Sequence, residues 1–401
     1  MFERNVENPA SIRVEPFSIA VPQISVADLM DRLARVRWPH QIDGIGWDQG
    51  TERDYLRSLI DYWRENFDWR LQERTLNKLP QFRASIGGQQ VHFVHVRAKS
   101  GSGLPILITH GWPGAFTEMV KIIPMLTEPE SYGGHSHDAF DVIVPSLPGY
   151  GFSSIPCRIG MDTFEIAKLW AELMAGLGYR RFAAQGGDWG AYVATCLGLL
   201  FPERVIGLHL NRIPGGLQPP CDPSSKDLTE DERAFVAAYS NRWMDTEGAY
   251  ARIQATKPQS LAYAFNDSPV GLAAWMVEKF RAWSDCDGEV ERVFTKDELL
   301  TFISIYWFTE TISSSMRLYW EARRNPLRFK PGEKVRVPCA VAVFPKEIVM
   351  PPRSWVERVY NVQRWSRMAK GGHFAAFEQP DLLARDIRLF FRSLQRHSSQ
   401  S

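Results

Sequence analysis

Asp188 stands at the centre of Gly186-Gly187-Asp188-Trp189-Gly190, a small-x-nucleophile-x-small pattern. Such a pattern forms a tight strand-to-helix turn that lifts one side chain into a pocket, with glycines where the helix approaches the strand. The flanks fit, since Arg181 to Gln185 reads as a short strand and Ala191 to Leu200 as an apolar helix. A carboxylate has an ordinary pKa of about 4, so it is anionic at neutral pH and needs no base to become a nucleophile. A serine attacking saturated carbon would leave an ether, which water does not readily cleave, whereas a carboxylate leaves an ester, which water does. The residue type therefore points to displacement at sp³ carbon, with opening of a strained epoxide and displacement of halide as the two reactions that suit it. The plainer reading is that Asp188 caps the helix that follows.

The rest of a hydrolytic site can be found around it. Leu104 to Thr109 is an apolar strand running into His110-Gly111-Trp112-Pro113-Gly114, followed by a helical pattern through Leu126. The backbone N–H of Trp112, with that of Trp189, could converge on the carbonyl oxygen of an Asp188 ester as an oxyanion hole. Pro113 also suits the first turn of a helix, which is the plainer account of that segment. The strand Phe140 to Pro145 leads into Ser146-Leu147-Pro148-Gly149-Tyr150-Gly151-Phe152, a tight loop read as architecture and not as chemistry. Downstream, Cys339 to Phe344 is a third apolar strand with Glu347 just past its end, and Gly371-Gly372-His373-Phe374 follows. In the order nucleophile, acid, histidine, His373 would be the base that activates water and Glu347 would orient its imidazole. The other strand end where an acid could stand, after Val205 to Leu210, carries Asn211 and Arg212, so no carboxylate competes there. His40, His92, His95 and His209 read as structural or surface residues.

With these stretches in view, the chain resembles the epoxide hydrolases of the microsomal type over almost its whole length. The resemblance rests on residues 110–114, 186–190, Phe344-Pro345-Lys346-Glu347 and Gly372-His373-Phe374, together with residues 250–258 and 266–274. It implies an α/β-hydrolase fold with an inserted helical lid and an N-terminal segment that embraces core and lid. It also implies a pair of lid tyrosines, here Tyr250 and Tyr319, that hydrogen-bond the epoxide oxygen, and a substrate pocket lined by Trp112, Trp189 and Phe374. A phenol of pKa about 10 stays protonated at neutral pH and can donate to the alkoxide that develops as the ring opens. The expected product is a vicinal diol. Haloalkane dehalogenation by the same ester route is the rival, with the Trp112 and Trp189 side chains cradling halide. A ligand-binding protein that lost turnover is a second rival, and a serine esterase lacks its serine.

Composition narrows the setting. The 401 residues are 44% hydrophobic and 23% charged, enough to bury a large core. Net charge is +1, from 47 basic and 46 acidic residues without a sustained basic run, which implies neither nucleic acid nor an anionic membrane surface. A neutral small-molecule epoxide and water are the expected partners, and monomer and homodimer stay equally open, as do detoxification and biosynthesis. No run of 18 or more apolar residues occurs, and the start, Met1 to Asn8, lacks a signal or anchor pattern. A soluble cytoplasmic protein is therefore expected. Cys157, Cys196, Cys221, Cys286 and Cys339 are scattered without metal-type spacing, so neither disulfides nor zinc are expected. No phosphate loop or dinucleotide fingerprint suggests a cofactor. Fourteen tryptophans suggest an aromatic pocket, with most of them packing.

The elements that must hold these residues divide the chain into four stretches. Residues 1–95 form an N-terminal extension. In it, Ser25 with Asp28 reads as a capping signature before an amphipathic helix of Val26, Leu29, Leu33 and Val36 that Pro39 ends. A second helix from Asp54 presents Leu56, Leu59, Ile60, Trp63 and Phe67, and Gln81 to Arg97, broken at Gly87-Gly88, reads as a hairpin that starts the sheet. Residues 96–215 and 335–401 form the two halves of an α/β core with a mostly parallel, doubly wound sheet. Residues 216–334 form the helical lid, bounded by the breaker-rich Pro214 to Pro220, Asn325-Pro326 and Pro331-Gly332, and His397 to Ser401 reads as a frayed tail.

Overall fold

The computed structural model describes residues 12–214, 228–238, 243–330 and 332–398. The expectations for Met1 to Asn8, for most of the Pro214 to Pro220 boundary, for Cys221 and Pro331 and for the last three residues lie outside that set. Among the described residues, nine strands form one sheet: β1 Arg13–Phe17, β2 Gln81–Ile86, β3 Gln89–Val96, β4 Leu104–Thr109, β5 Phe140–Pro145, β6 Phe182–Gly186, β7 Val205–Leu210, β8 Val335–Val343 and β9 Tyr360–Arg367. Their order across the sheet is β1-β2-β3-β5-β4-β6-β7-β8-β9. The first three strands and the β3–β5 pairing are antiparallel, and every pairing from β5 through β9 is parallel. This is the mixed, mostly parallel sheet of the α/β-hydrolase fold. The central strands read as continuous apolar runs because helices cover both faces, and β6 is buried at all five positions.

The hairpin Gln81 to Arg97 is present as β2 and β3, but β1 was not anticipated. Its sequence, Arg13 to Phe17, alternates charged and apolar residues around Pro16, and its burial pattern is that of an exposed edge. The capping signature at Ser25 is also corrected. The helix runs Gln23–Leu33 from Pro22, without a side-chain cap, and the Ser25 N–H already bonds the Pro22 carbonyl at 3.0 Å. A proline with its fixed φ starts this helix three residues earlier than a Ser25 cap would. Leu29 and Leu33 are buried as expected, while Val36 lies past the helix end. The second helix, Arg53–Glu65, buries Leu56, Leu59, Ile60 and Trp63.

Between β7 and β8 the described chain is helical, with Ala249–Gln254, Pro258–Asp267, Pro269–Trp283, Lys296–Thr309 and Ile312–Arg324 as its main pieces. The N-terminal helices pack against this insertion. The Thr51 hydroxyl donates to the Ala274 carbonyl at 2.6 Å, Arg32 reaches Asp267, Tyr62 donates to Asp297, and Trp69 lies on Phe308 with ring centroids 4.8 Å apart. Among the described residues, no helix is long and apolar enough to cross a membrane.

Candidate active site

Every residue singled out in the core sits just past the carboxyl end of a parallel strand. Asp188 follows β6, Arg212 follows β7, Glu347 follows β8, His373 follows β9 and Trp112 follows β4. In open parallel sheets the strand ends leave a crevice into which these loops project. Asp188 has φ +42, the left-handed region that a non-glycine residue enters only at a cost of about 1–3 kcal/mol. The turn that imposes this conformation lifts its side chain away from the helix it begins, Asp188–Leu200. That helix has Gly187 as its cap residue with no side-chain cap bond, so the capping role for Asp188 does not hold. Its carboxylate instead accepts the Trp112 N–H at 2.9 Å on Oδ1 and the Arg212 guanidinium at 3.0 Å on Oδ2.

His373 and Glu347 come together as the chain order implied. His373 Nδ1 lies 2.9 and 3.1 Å from the two Glu347 oxygens, and His373 Nε2 lies 3.5 Å from Asp188 Oδ2. A parallel bridge between Lys346 and Gly372 sets the two loops side by side. The helical insertion reaches the same loop, where His373 N–H donates to the Trp283 carbonyl and Gly371 N–H donates to the Asp285 carboxylate.

Two close approaches require glycine. A Cβ on Gly190 would lie 1.9 Å from the Thr109 carbonyl oxygen, and one on Gly111 would lie 2.3 Å from the Asp188 Cβ. Gly190→Ala is expected to push the elbow off β4 and destabilise the protein by about 1–3 kcal/mol, the usual cost of overpacking. A denaturant titration of the variant beside the parent checks this.

Tyr250 and Tyr319 both arrive from the insertion, with ring centroids 5.9 Å apart. Trp112 stacks on Tyr250 at 5.4 Å, and Trp189 meets Tyr319 edge-on at 4.7 Å. Burial is the main cause that raises both phenols above their ordinary value, with the Asp188 charge adding to it. Both are proton donors at neutral pH. Phe374 packs with Phe280, Trp283 and Phe294 where the insertion meets the core, and it also lines the small cavity beside Asp188 and His373. Trp189 is the second residue of its helix, where backbone N–H groups have no intrahelical acceptor. Pro113 precedes the first turn and does not enter it. The helical pattern through Leu126 resolves into a 3₁₀ turn, Phe116–Met119, and a short helix, Ile123–Thr127.

Arg212 was noticed in the sequence only as the lack of an acid. Its side chain is 11% exposed, and it lies 3.0 Å from Asp188 and 3.9 Å from Glu347. Burial alone would lower the guanidinium, and the two carboxylates more than reverse that. The other histidines are packed or exposed. His92 is bonded to Ser146 and Gln81, His209 to Asp386, His95 to Tyr179, and His40 is exposed. The loop 146–152 serves architecture, with Leu147 N–H on His110 Nε2 and the Tyr150 hydroxyl on the Ser315 carbonyl.

Residues 14–119 match the family profile described as epoxide hydrolase N terminus, and residues 105–253 match that of the alpha/beta hydrolase fold. Epoxide hydrolase 1 of Sus scrofa is 39% identical over 411 residues, covering 95% of this chain and 89% of its own. The chain belongs to the microsomal-type epoxide hydrolases. The crystal structure of juvenile hormone epoxide hydrolase from the silkworm Bombyx mori superposes with a TM-score of 0.86 at 30% identity, covering 96% of each chain. The Aspergillus niger epoxide hydrolase structure gives 0.83 at 30% identity, covering 96% of this chain and 98% of that one. The protein is an enzyme of this class, an epoxide hydrolase, and an epoxide is its substrate.

The hydrolase holds its central pair as ions. Burial would raise the Asp188 carboxyl, but the hydrogen bond to His373, the Arg212 charge and the Trp112 N–H overcome it and hold it at about 2. Burial would lower His373, and Glu347 with Asp188 overcomes it and raises it to about 9. His373 is raised from 6.5, so its contribution to stability is full below 6.5 and is lost as pH rises through about 9. Asp188 is depressed from 3.8, so its contribution is present above that value and is lost as pH falls through about 2. Thermal unfolding followed between pH 6 and 10 (about the window these two values set) is expected to show the parent losing its advantage over His373→Gln on the alkaline side.

Proposed function

We propose that the hydrolase opens its epoxide through a covalent ester on Asp188. The carboxylate attacks one ring carbon in line while the Tyr250 and Tyr319 hydroxyls hold the oxygen, and the C–O bond of the ring breaks. Forming the ester removes the negative charge that helps keep His373 protonated, so the imidazolium gives up a proton, which balances the one the alkoxide takes up. The neutral imidazole, oriented by Glu347, then draws a proton from water as the water oxygen bonds to the Asp188 carbonyl carbon. The Trp112 and Trp189 N–H groups receive the oxyanion. Collapse breaks the ester C–O bond, the leaving oxygen takes the second proton of the former water, the diol leaves, and Asp188 and His373 return to their resting ion pair.

The observation that carries this reading is the placement of His373 Nε2, 3.5 Å from Asp188 Oδ2 with Glu347 behind it, under two protonated phenols. The route predicts where oxygen goes. With enzyme in excess over epoxide in water enriched in heavy oxygen, the label should enter the peptide containing Asp188, and the diol should stay unlabelled. Label in the diol would mean that water attacks the epoxide directly. The indole Nε1–H groups of Trp112 and Trp189 lack a partner, the one feature that favours a halide cradle. Chloride release from haloalkanes is the check on that second reading.

A further inference from the structure

Beside Asp188 lies a small cavity, lined by neither Tyr250 nor Tyr319, that the reaction scheme has not used. Glu118, Gln185, Asp188, Asn211 and His373 are among the polar residues that line it. About 10 Å³ of it is open to the centre of a water molecule, close to the room one water needs. Closed cavities with polar walls hold water, while those that stay dry are apolar.

Glu118 and Gln185, two of the lining residues without a role in the scheme, are tightly fixed there. Gln185 is 1% exposed, and its amide nitrogen donates to Asn211 Oδ1 at 2.8 Å. That bond sets the amide orientation and leaves Gln185 Oε1 as a buried acceptor with no partner. A buried acceptor left unmet costs about 1–3 kcal/mol, which a water would offset. Glu118 is 8% exposed, and its Oε1 lies 1.3 Å from where a Cβ on Gly114 would be. The absence of a side chain at position 114 is what admits the carboxyl to the site.

We propose that this cavity holds the hydrolytic water, with Glu118 and Gln185 as the groups that orient it. The inference rests on the Asp188 ester route above. A water has two donors and two lone pairs to place. One O–H bonds Gln185 Oε1 and the other His373 Nε2, while one lone pair accepts from the Glu118 carboxyl. The second lone pair faces the Asp188 carbonyl carbon. In the hydrolytic step the water oxygen bonds to that carbon, its proton passes to His373, and the ester C–O bond breaks to release the diol. Burial, with the nearby Asp188 charge, raises Glu118 to about 8 against the opposing pull of His373, so at neutral pH its carboxyl can donate. The water thus sits among core residues, and a substrate held by Tyr250 and Tyr319 need not leave room for it.

The test separates the two chemical steps in single turnovers with styrene oxide, following ester formation by quenched intact mass and its decay by diol release. Glu118→Leu is expected to form the ester within about threefold of the parent rate and to hydrolyse it about 10- to 100-fold more slowly, the range for a misplaced reactant. Glu118→Gln, which keeps an N–H donor, should restore most of that loss, which a merely structural role would not require. Gly114→Ala displaces the flexible end of Glu118 without removing it and should slow hydrolysis in the same way, so the inference stays exposed even if Glu118→Leu fails to fold. Hydrolysis at the parent rate in Glu118→Leu or Gly114→Ala would overturn the water site. Failure to trap any ester on the parent protein or on His373→Gln would instead overturn the Asp188 route on which the site depends.

Discussion

His373→Gln is expected to convert epoxide once and then stop. Asp188 is already a carboxylate and needs no base for the first step, Trp112 and Arg212 still hold it, and in this variant the alkoxide takes its proton from solvent by way of the tyrosines. The second step loses its proton acceptor, because a glutamine amide cannot take a proton from water. General-base catalysis contributes roughly 10²- to 10⁴-fold, so steady turnover should fall by about that factor. A single burst of epoxide consumption, equal to the enzyme present, should precede the stall. Glutamine can donate to Glu347, so the loop should keep its shape. A rapid-quench time course of epoxide loss and diol release distinguishes this from a variant that slows both steps equally.

Arg212→Met should weaken both stability and the first step. In the parent, one buried guanidinium is shared by Asp188 and Glu347. Removing it leaves two carboxylates with His373 as their remaining close cation, and breaking a buried pair in this way costs about 3–5 kcal/mol. The Asp188 carboxyl rises when the cation goes, so the acid side of its contribution is lost at higher pH than in the parent. Urea unfolding at neutral pH and the pH dependence of ester formation below pH 6, roughly the carboxylate range, read the two effects separately. An unchanged unfolding free energy would mean that Arg212 is compensated from elsewhere.

The sequence made most of the core of the site legible because Asp188, Glu347 and the Trp112 segment each follow an apolar strand, while His373 was found by its chain order and its Gly-Gly-His-Phe setting. The first three are found by reading strand, loop and residue type in order. The tyrosines are not. Tyr250 and Tyr319 lie on helices that carry no local mark of the site, and the family resemblance alone picked them out. Arg212 and Glu118 were missed for a physical reason. Each matters through groups far away in sequence, Arg212 across the sheet to Glu347 and Glu118 through the space left by Gly114. The edge strand β1 and the outer strand β9 were missed because half-exposed strands carry polar residues and weak apolar patterning. The misread start of the Gln23–Leu33 helix shows a proline and a serine competing for one role, with the proline prevailing.

The most direct measurement is the intact mass of His373→Gln after brief exposure to a mixed panel of aryl and alkyl epoxides, with Asp188→Asn treated in parallel. A mass increase equal to a whole epoxide, located on the peptide that contains Asp188 and absent from the Asp188→Asn protein, is the predicted result. A folded His373→Gln protein that turns over a panel member at the parent rate with no adduct would contradict the ester route.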